Sequence, residues 1–398
     1  MISFDAVIIG GGACGLMCAV QAGFLGKRVL ILEKNEKPGA KILISGGGRC
    51  NYTNLYASHL NFISENEHFC KSAFSQWTVE DSISFFEAYG IYGQEKTLGQ
   101  LFPVTNKAKD IVKVFTDLCE DLGQEIYCNA EVRSVDKGDD GNFIVGYFYH
   151  GKERSLKVPK VVIASGGLPI QKMGATDFGL KVARKLGLRV TETAPALVPL
   201  TITGKDAEWF ASLSGNSIFS GVSNERISFE ENILFTHWGL SGPAILQISS
   251  YWKPGEPLNI DLYPRANIID LINKEKQTGG KRSLLSFLSG IYTRKFAEAL
   301  SKYLPVEKNL ASLSKEDLRR IEEFIHHFKV KPAGDKGYDK AEVMRGGVAT
   351  DELSSKTLEA KKVAGLYFGG ECVDVTGWLG GYNFQWAWAS GFVIAQNI

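Results

Sequence analysis

The sequence predicts an α/β protein in which one glycine-rich α/β domain is interrupted by an insert. Three observations carry this. Strand, glycine turn, helix and strand follow one another over residues 5–34. Near Pro195 the texture changes to short strands and then to helices. Near residue 343 the earlier glycine-rich, apolar texture returns. The expected division is 1–194 with 343–398 for the discontinuous domain and 195–342 for the insert. Within the insert, 195–265 reads as β-rich and 266–342 as mainly helical.

Taken in order, Ala6-Val7-Ile8-Ile9 is a short apolar run of the kind buried on both faces of a parallel sheet. Gly10-Gly11-Gly12 breaks it, and Leu16, Val20 and Phe24 then recur at helical spacing. Val29-Leu30-Ile31-Leu32 is a second buried strand ending at Glu33. Thr78-x-x-Asp81 caps a helix that Gly90 stops, and Ile111 to Leu122 marks another. From 124 to 164 the pattern is β, with a run near 125–135, a hairpin turn at Asp139-Asp140-Gly141-Asn142, and a return at Val161-Val162-Ile163-Ala164. In the insert, Ser314-x-x-Asp317 caps a helix whose buried stripe is Leu318, Ile321, Phe324, Ile325 and Phe328.

Composition narrows the function classes. The 398 residues carry 45 Lys and Arg against 44 Asp and Glu, so bulk charge does not drive nucleic-acid binding. Glycine is over-represented at 43 residues, and it clusters where backbone would approach a ligand. No run reaches transmembrane length and the start lacks a basic signal-peptide region. Seven scattered cysteines without a CxxC pair argue against a disulfide framework or structural zinc, and point to a cytoplasmic setting.

Gly10-x-Gly12-x-x-Gly15 lies between a strand and a helix, and Glu33 closes the next strand. The first glycine makes the turn, the second admits a pyrophosphate, and the third lets helix and sheet pack closely. The helix N-terminus favours the phosphate charge, and Glu33 accepts from a ribose hydroxyl. An acid there favours FAD or NAD over NADP. The chain then runs into a second glycine cluster and a β excursion, and it closes with Gly369-Gly370-Glu371-Cys372-Val373-Asp374 and Gly380-Gly381-Tyr382-Asn383 before a helix. That layout favours noncovalent FAD, with the last helix dipole directed at the ligand.

Ser45-Gly46-Gly47-Gly48-Arg49-Cys50-Asn51-Tyr52-Thr53-Asn54, Leu101-Phe102-Pro103, Phe235-Thr236-His237-Trp238-Gly239-Leu240-Ser241-Gly242-Pro243 and the closing glycine segments resemble one bacterial family. It is the HI0933-like (YhiN/BaiN-type) family of FAD-dependent oxidoreductases. The resemblance implies a glutathione-reductase/fumarate-reductase-like FAD-binding Rossmann domain with an inserted β-barrel-like plus helical domain. The cofactor-binding set expected is Gly10, Gly12, Ala13, Gly15, Glu33, Lys34, Lys41, Ser45, Gly46, Gly47, Arg49, Asn51, Val132, Ala164, Gly166, Gly370, Glu371, Asp374, Gly381 and Asn383.

For chemistry, Cys50, His237 and Arg49 are the candidates. Cys50 reads either as a proton donor beside the flavin or as a small buried packing residue. His237 reads as a proton donor or as a structural His. Arg49 reads as an anion holder or a surface ion-pair partner, and Asn51 as a flavin-edge contact or a turn residue. His326 and His327 read as surface or partner-facing, and no metal site is expected. There is no P-loop, HExxH or true nucleophile elbow. No second GxGxxG is present, so NAD(P)H would be a transient electron donor at most.

The insert hides a charge signal. From Lys274 to Lys340 there are 15 basic and nine acidic residues, a net +6 against −5 elsewhere. Phe287, Tyr292, Phe296, Tyr303, Phe324 and Phe328 interleave with them. This reads either as an RNA-holding face or as a solvated helical face over a core. The expected activity is reduction of an electron-poor C=C by hydride from the flavin. Resemblance implies two substrate classes, uridine in ribosomal RNA (giving dihydrouridine) and unsaturated steroid acids. A flavin-binding sensor without turnover is the third reading.

Overall fold

The computed structural model describes residues 4–277, 279 and 281–398. The chain forms two compact units, Met1–Ala194 with Val343–Ile398, and Pro195–Glu342.

The first unit holds a five-stranded parallel sheet. Its order is Leu366–Phe368, Lys160–Ile163, β1 (Ala6–Ile9), β2 (Val29–Leu32) and Glu125–Tyr127. Ile8 lies opposite Val162 on one side and Ile31 on the other. All of β1 and β2 is buried, which is why both read as unbroken apolar runs rather than alternating ones. Between them, α1 (Ala13–Phe24) buries every residue from Cys14 to Ala22. It packs on the C-terminal helix Tyr382–Ala395, which is buried almost all round. A Cβ at Gly391 would lie 2.5 Å from the Cys14 carbonyl oxygen, so only glycine permits this crossing. Two helices apolar on every face belong in an interior.

The β excursion divides in a way the sequence did not reveal. Glu125–Tyr127 joins the parallel sheet. Glu131–Lys137, Phe143–Tyr149 and Lys152–Val158 form a separate three-stranded antiparallel sheet. The break falls at Asn129, whose φ is +55°, and Ala130 N–H then donates to the Glu33 carbonyl at 2.9 Å. The hairpin turn sits at 139–142, with Gly141 at φ +82° and Asn142 N–H donating to Asp140 at 3.2 Å.

The second unit holds a seven-stranded antiparallel sheet. Its order is Phe328–Val330, Leu258–Asp261, Ser217–Ser223, Ser228–Thr236, Gly239–Ser241, Leu200–Thr201 and Gly334–Asp335. Both edge strands come from the segment expected to be mainly helical, so the β-rich and helical parts share one sheet. Ser314 caps the helix Lys315–His326 in a reciprocal box with Asp317.

One expectation for this unit needs correcting, and one open alternative is narrowed. His326 is not a surface residue: its side chain is only 12% exposed. Its Nε2 accepts from Ile268 N–H at 3.0 Å, and its Nδ1 meets Asp261 Oδ1 at 2.9 Å. It is the acceptor at the start of helix Ile268–Gln277. The aromatics interleaved with the basic residues also face inward. Phe287, Tyr292 and Phe296 are buried. Tyr303, Phe324 and Phe328 pack around Trp209 with ring centroids at 5.2, 6.3 and 5.9 Å. Tyr303, Phe324 and Phe328 are half-buried, and Phe328 opens an edge strand instead of extending the helix stripe, so the set fits a solvated face over a core.

Candidate functional site

The site of the first unit lies at the C-terminal ends of the parallel strands, where the β1–α1 turn changes direction. Gly10 has φ +109°, and a Cβ there would lie 2.4 Å from the Ala164 carbonyl oxygen. At Gly15 a Cβ would be 2.0 Å from the Gly10 carbonyl. Both glycines are therefore required by the backbone itself. Gly12 differs: nothing lies within 4 Å of its Cβ position. It is the N-cap of α1, and no side-chain cap hydrogen bond is made to the first N–H groups of the helix.

Glu33 directly follows β2 and is buried. Its Oε2 accepts from Gly11 N–H at 2.7 Å and its Oε1 from Asn35 N–H at 2.8 Å. Two backbone donors thus aim the carboxylate at the glycine turn. The neighbouring Lys34 is exposed. Val132 is buried on the antiparallel sheet, two residues beyond the Ala130 contact to Glu33.

The second glycine cluster is a helix end rather than a plain loop. In α2 (Ala40–Gly48), Ser45 leaves helical geometry and Gly46, Gly47 and Gly48 take φ values of +55°, +70° and +82°. Arg49 Nε donates to the Gly46 carbonyl at 2.7 Å, and its guanidinium lies 5.2 Å from the Phe102 ring centroid. Arg49 is exposed and no acid pairs with it among the described residues, so the surface ion-pair reading is not what the geometry displays. Cys50 takes φ +59° and is wholly buried, and burial pushes its thiol up to about 12 despite a hydrogen bond with Ser45. Asn51 is buried with no partner for Oδ1.

The closing segment completes the site. Lys41 Nζ meets Glu371 Oε2 at 2.6 Å, and Met344 N–H donates to Glu371 Oε1 at 3.1 Å. A Cβ at Gly167 would be 2.8 Å from Glu371 Oε1, and one at Gly166 would be 4.0 Å from Oε2. Gly370 N–H donates to Ser390 Oγ at 2.9 Å. Asp374 accepts from Glu65 N–H at 2.9 Å, and burial raises its carboxyl above the usual range. Gly381 has φ +97°, caps the C-terminal helix, and places its Cβ position 2.8 Å from Asn51 Oδ1. Asn383 is otherwise engaged: its side chain accepts from Gly377 N–H at 2.8 Å and donates to the Gly377 and Trp378 carbonyls.

The structure thus gathers Gly10, Gly12, Gly15, Glu33 and Ala164 at the turn, and Lys41, Gly166 and Glu371 around one ion pair. Asn51 joins Gly381. His237 belongs to the second unit, exposed at a two-residue hairpin between Thr236 and Gly239. Sequence reasoning missed Gly11, which sits inside the motif and donates to Glu33, and Ser165, a buried hydroxyl beside Ala164 with no partner. Among the described residues no group of three His, Cys, Asp or Glu could hold a metal ion.

These residues fit an extended dinucleotide: a glycine-lined helix start with open space, an aimed carboxylate, and an unpaired buried acceptor at Asn51. Fold and site define an FAD-binding Rossmann-type oxidoreductase. The chain matches the HI0933-like protein Rossmann domain over residues 4–397, and it belongs to the HI0933-like family of FAD-dependent oxidoreductases.

It is 43% identical over 400 residues to the ribosomal RNA dihydrouridine synthase of Escherichia coli (strain K12), covering 100% of this chain and 98% of the relative. The Haemophilus influenzae protein of the same name is 40% identical, at 99% and 98% coverage. The 3-dehydro-bile acid delta(4,6)-reductase of Clostridium scindens is 27% identical, at 98% and 97%. Among solved structures, the 3-ketosteroid delta1-dehydrogenase from Sterolibacterium denitrificans aligns with a TM-score of 0.55, 12% identity, and 100% and 99% coverage, a likeness of fold.

Proposed function

We propose that the protein reduces uridine in ribosomal RNA to dihydrouridine, with FAD held noncovalently in the first unit and a cytoplasmic location. The observation that carries this reading is the pair of relatives named ribosomal RNA dihydrouridine synthase, 43% and 40% identical over essentially the whole chain. Bound FAD would supply hydride to the electron-poor C=C. The N–H groups after Gly12 would hold the pyrophosphate, and Glu33 would accept from the ribose. Asn51 Oδ1, buried and without a partner, would be available to accept from the flavin. Arg49, tied to its own loop, keeps exposed N–H groups for an anion.

A reduced C=C also needs a proton, and its donor must be recharged each turnover. Cys50 is sealed from water, and burial holds its thiol protonated up to about 12. That supports a packing role for Cys50 and leaves exposed His237, or water, as the donor. NAD(P)H, docking transiently, is the electron donor proposed.

The deciding experiment is mass spectrometry of ribosomal RNA from cells lacking the gene. A dihydrouridine is lost and returns with a plasmid copy; if none is lost, the reading falls. The bile-acid relative supports a second reading, a small-molecule enoate reductase. That reading expects an unsaturated steroid acid to accelerate NAD(P)H oxidation without RNA. A sensor would respond to neither.

A further inference from the structure

The turn at 236–238 in the second unit carries unmet donors. Thr236 pairs with Gly239, so His237 and Trp238 alone form the hairpin tip. Gly239 makes this possible, since at φ +146° a Cβ would lie 2.4 Å from the Leu200 carbonyl oxygen. Trp238 Nε1 is buried and has no hydrogen-bond partner, and the same holds for Thr236 Oγ1. Thr236 as a whole is 9% exposed. The His237 and Trp238 rings meet edge-on at 4.0 Å between centroids. From the loop after strand Gly334–Asp335, Lys336 Nζ sits 5.0 Å from the Trp238 ring centroid. No carboxylate pairs with Lys336 or His237 among the described residues.

An indole N–H can only donate, and a buried donor without an acceptor is costly. Here it stands beside an ammonium placed over the same ring. The chemistry missing from the cluster is therefore an acceptor with negative charge. We infer that Thr236, Trp238 and Lys336 form an oxyanion subsite that takes a backbone phosphate of the RNA substrate. Trp238 Nε1–H and the Thr236 hydroxyl donate to phosphate oxygens, and Lys336 supplies the charge. The subsite rests on the RNA reading above and adds to it a place for the backbone rather than for the base.

The test uses FAD-loaded full-length protein and protein-free ribosomal RNA from a strain lacking the gene. Trp238→Phe keeps the ring and removes the N–H; Lys336→Gln removes the charge. Thermal unfolding and FAD content, measured in parallel, show that each variant is folded. The expected result is RNA binding weakened about tenfold by Trp238→Phe, and a salt dependence reduced by about one charge in Lys336→Gln. Wild-type affinity and salt slope in both variants would overturn the subsite while leaving the RNA reading intact. If wild-type protein forms no dihydrouridine in that RNA, the function proposal itself fails. Should the variants instead lose their response to an unsaturated steroid carboxylate and keep RNA binding, the anion is not a phosphate and the inference is wrong.

Discussion

Lys41 and Glu371 stand 330 positions apart in the chain and meet at 2.6 Å. Their side chains are 32% and 16% exposed, so the pair is partly shielded from solvent. It fastens α2 to the closing glycine segment on one side of the proposed FAD site. A double-mutant cycle with Lys41→Ala and Glu371→Ala is expected to give a coupling of about 1 kcal/mol, above the usual exposed pair. Both single variants should also release FAD more readily on dilution. Additive effects on unfolding would mean that the pair does not act as a clasp.

The glycines of the turn separate stability from binding. Gly15→Ala would press a Cβ to within 2.0 Å of the Gly10 carbonyl, so it should destabilise by about 3 kcal/mol. Gly12→Ala meets no atom within 4 Å. It should unfold within about 1 kcal/mol of wild type yet bind FAD weakly, because its methyl occupies the ligand's space. Thermal melts of the apoprotein and FAD titration distinguish the two; equal FAD affinity in Gly12→Ala would contradict the placement of the pyrophosphate.

Cys50 offers a pH signature. Its thiol pKa in the fold, about 12, lies above the ordinary value of 9.0. The protonated thiol therefore contributes stability that is complete below pH 9 and is lost as pH rises toward 12. Native protein should resist iodoacetamide at Cys50 at pH 8, and denatured protein should react. Cys50→Ala should retain turnover; a loss of more than a hundredfold would restore Cys50 as the proton donor.

His326 has a fixed tautomer. Because Nε2 accepts from Ile268 N–H, the proton resides on Nδ1 and is donated to Asp261. Nitrogen-15 spectra of the ring should report the Nδ1–H form at neutral pH. His326→Ala leaves the helix start unsatisfied and should cost about 1–2 kcal/mol in urea unfolding.

The basic insert is best probed where cations are free. Reversing Arg282 would set it against Glu275, its partner at 2.9 Å, and disturb its contact with Phe287. Arg319 and Arg320 are exposed on helix Lys315–His326. Arg319→Glu with Arg320→Glu should leave unfolding nearly unchanged and weaken ribosomal RNA binding severalfold at low salt. Unaltered binding would assign the charge to solvation alone.

How much of this could be read in the sequence follows from the range of each interaction. β1, α1 and β2 were legible because burial on both faces writes continuous apolar runs, and the turn between them allows only glycine at Gly10 and Gly15. The Ser314 cap was legible for a similar reason, since its box closes within three residues. The Lys41–Glu371 clasp was not, because no local period links positions so distant. The edge strands Phe328–Val330 and Gly334–Asp335 are too short, at three and two residues, to show alternation. His326 looked like a surface residue because its acid partner, Asp261, lies on another strand. The insert's aromatics stayed ambiguous for the opposite reason: a core-facing stripe and a ligand face can be written with the same residues. Within the site, sequence named Asn383, but only the fold reveals that its amide is spent on its own loop.

The discontinuity of the first unit has a consequence for synthesis. Strand Leu366–Phe368 and helix Tyr382–Ala395 leave the ribosome only after the whole of Pro195–Glu342. Until then strand Lys160–Ile163 has an open edge and α1 lacks the helix that seals it. The insert is contiguous and can fold while the flavin unit waits. Until the closing segment emerges, the half-made sheet therefore keeps an unpaired edge while every strand of the insert is already synthesised.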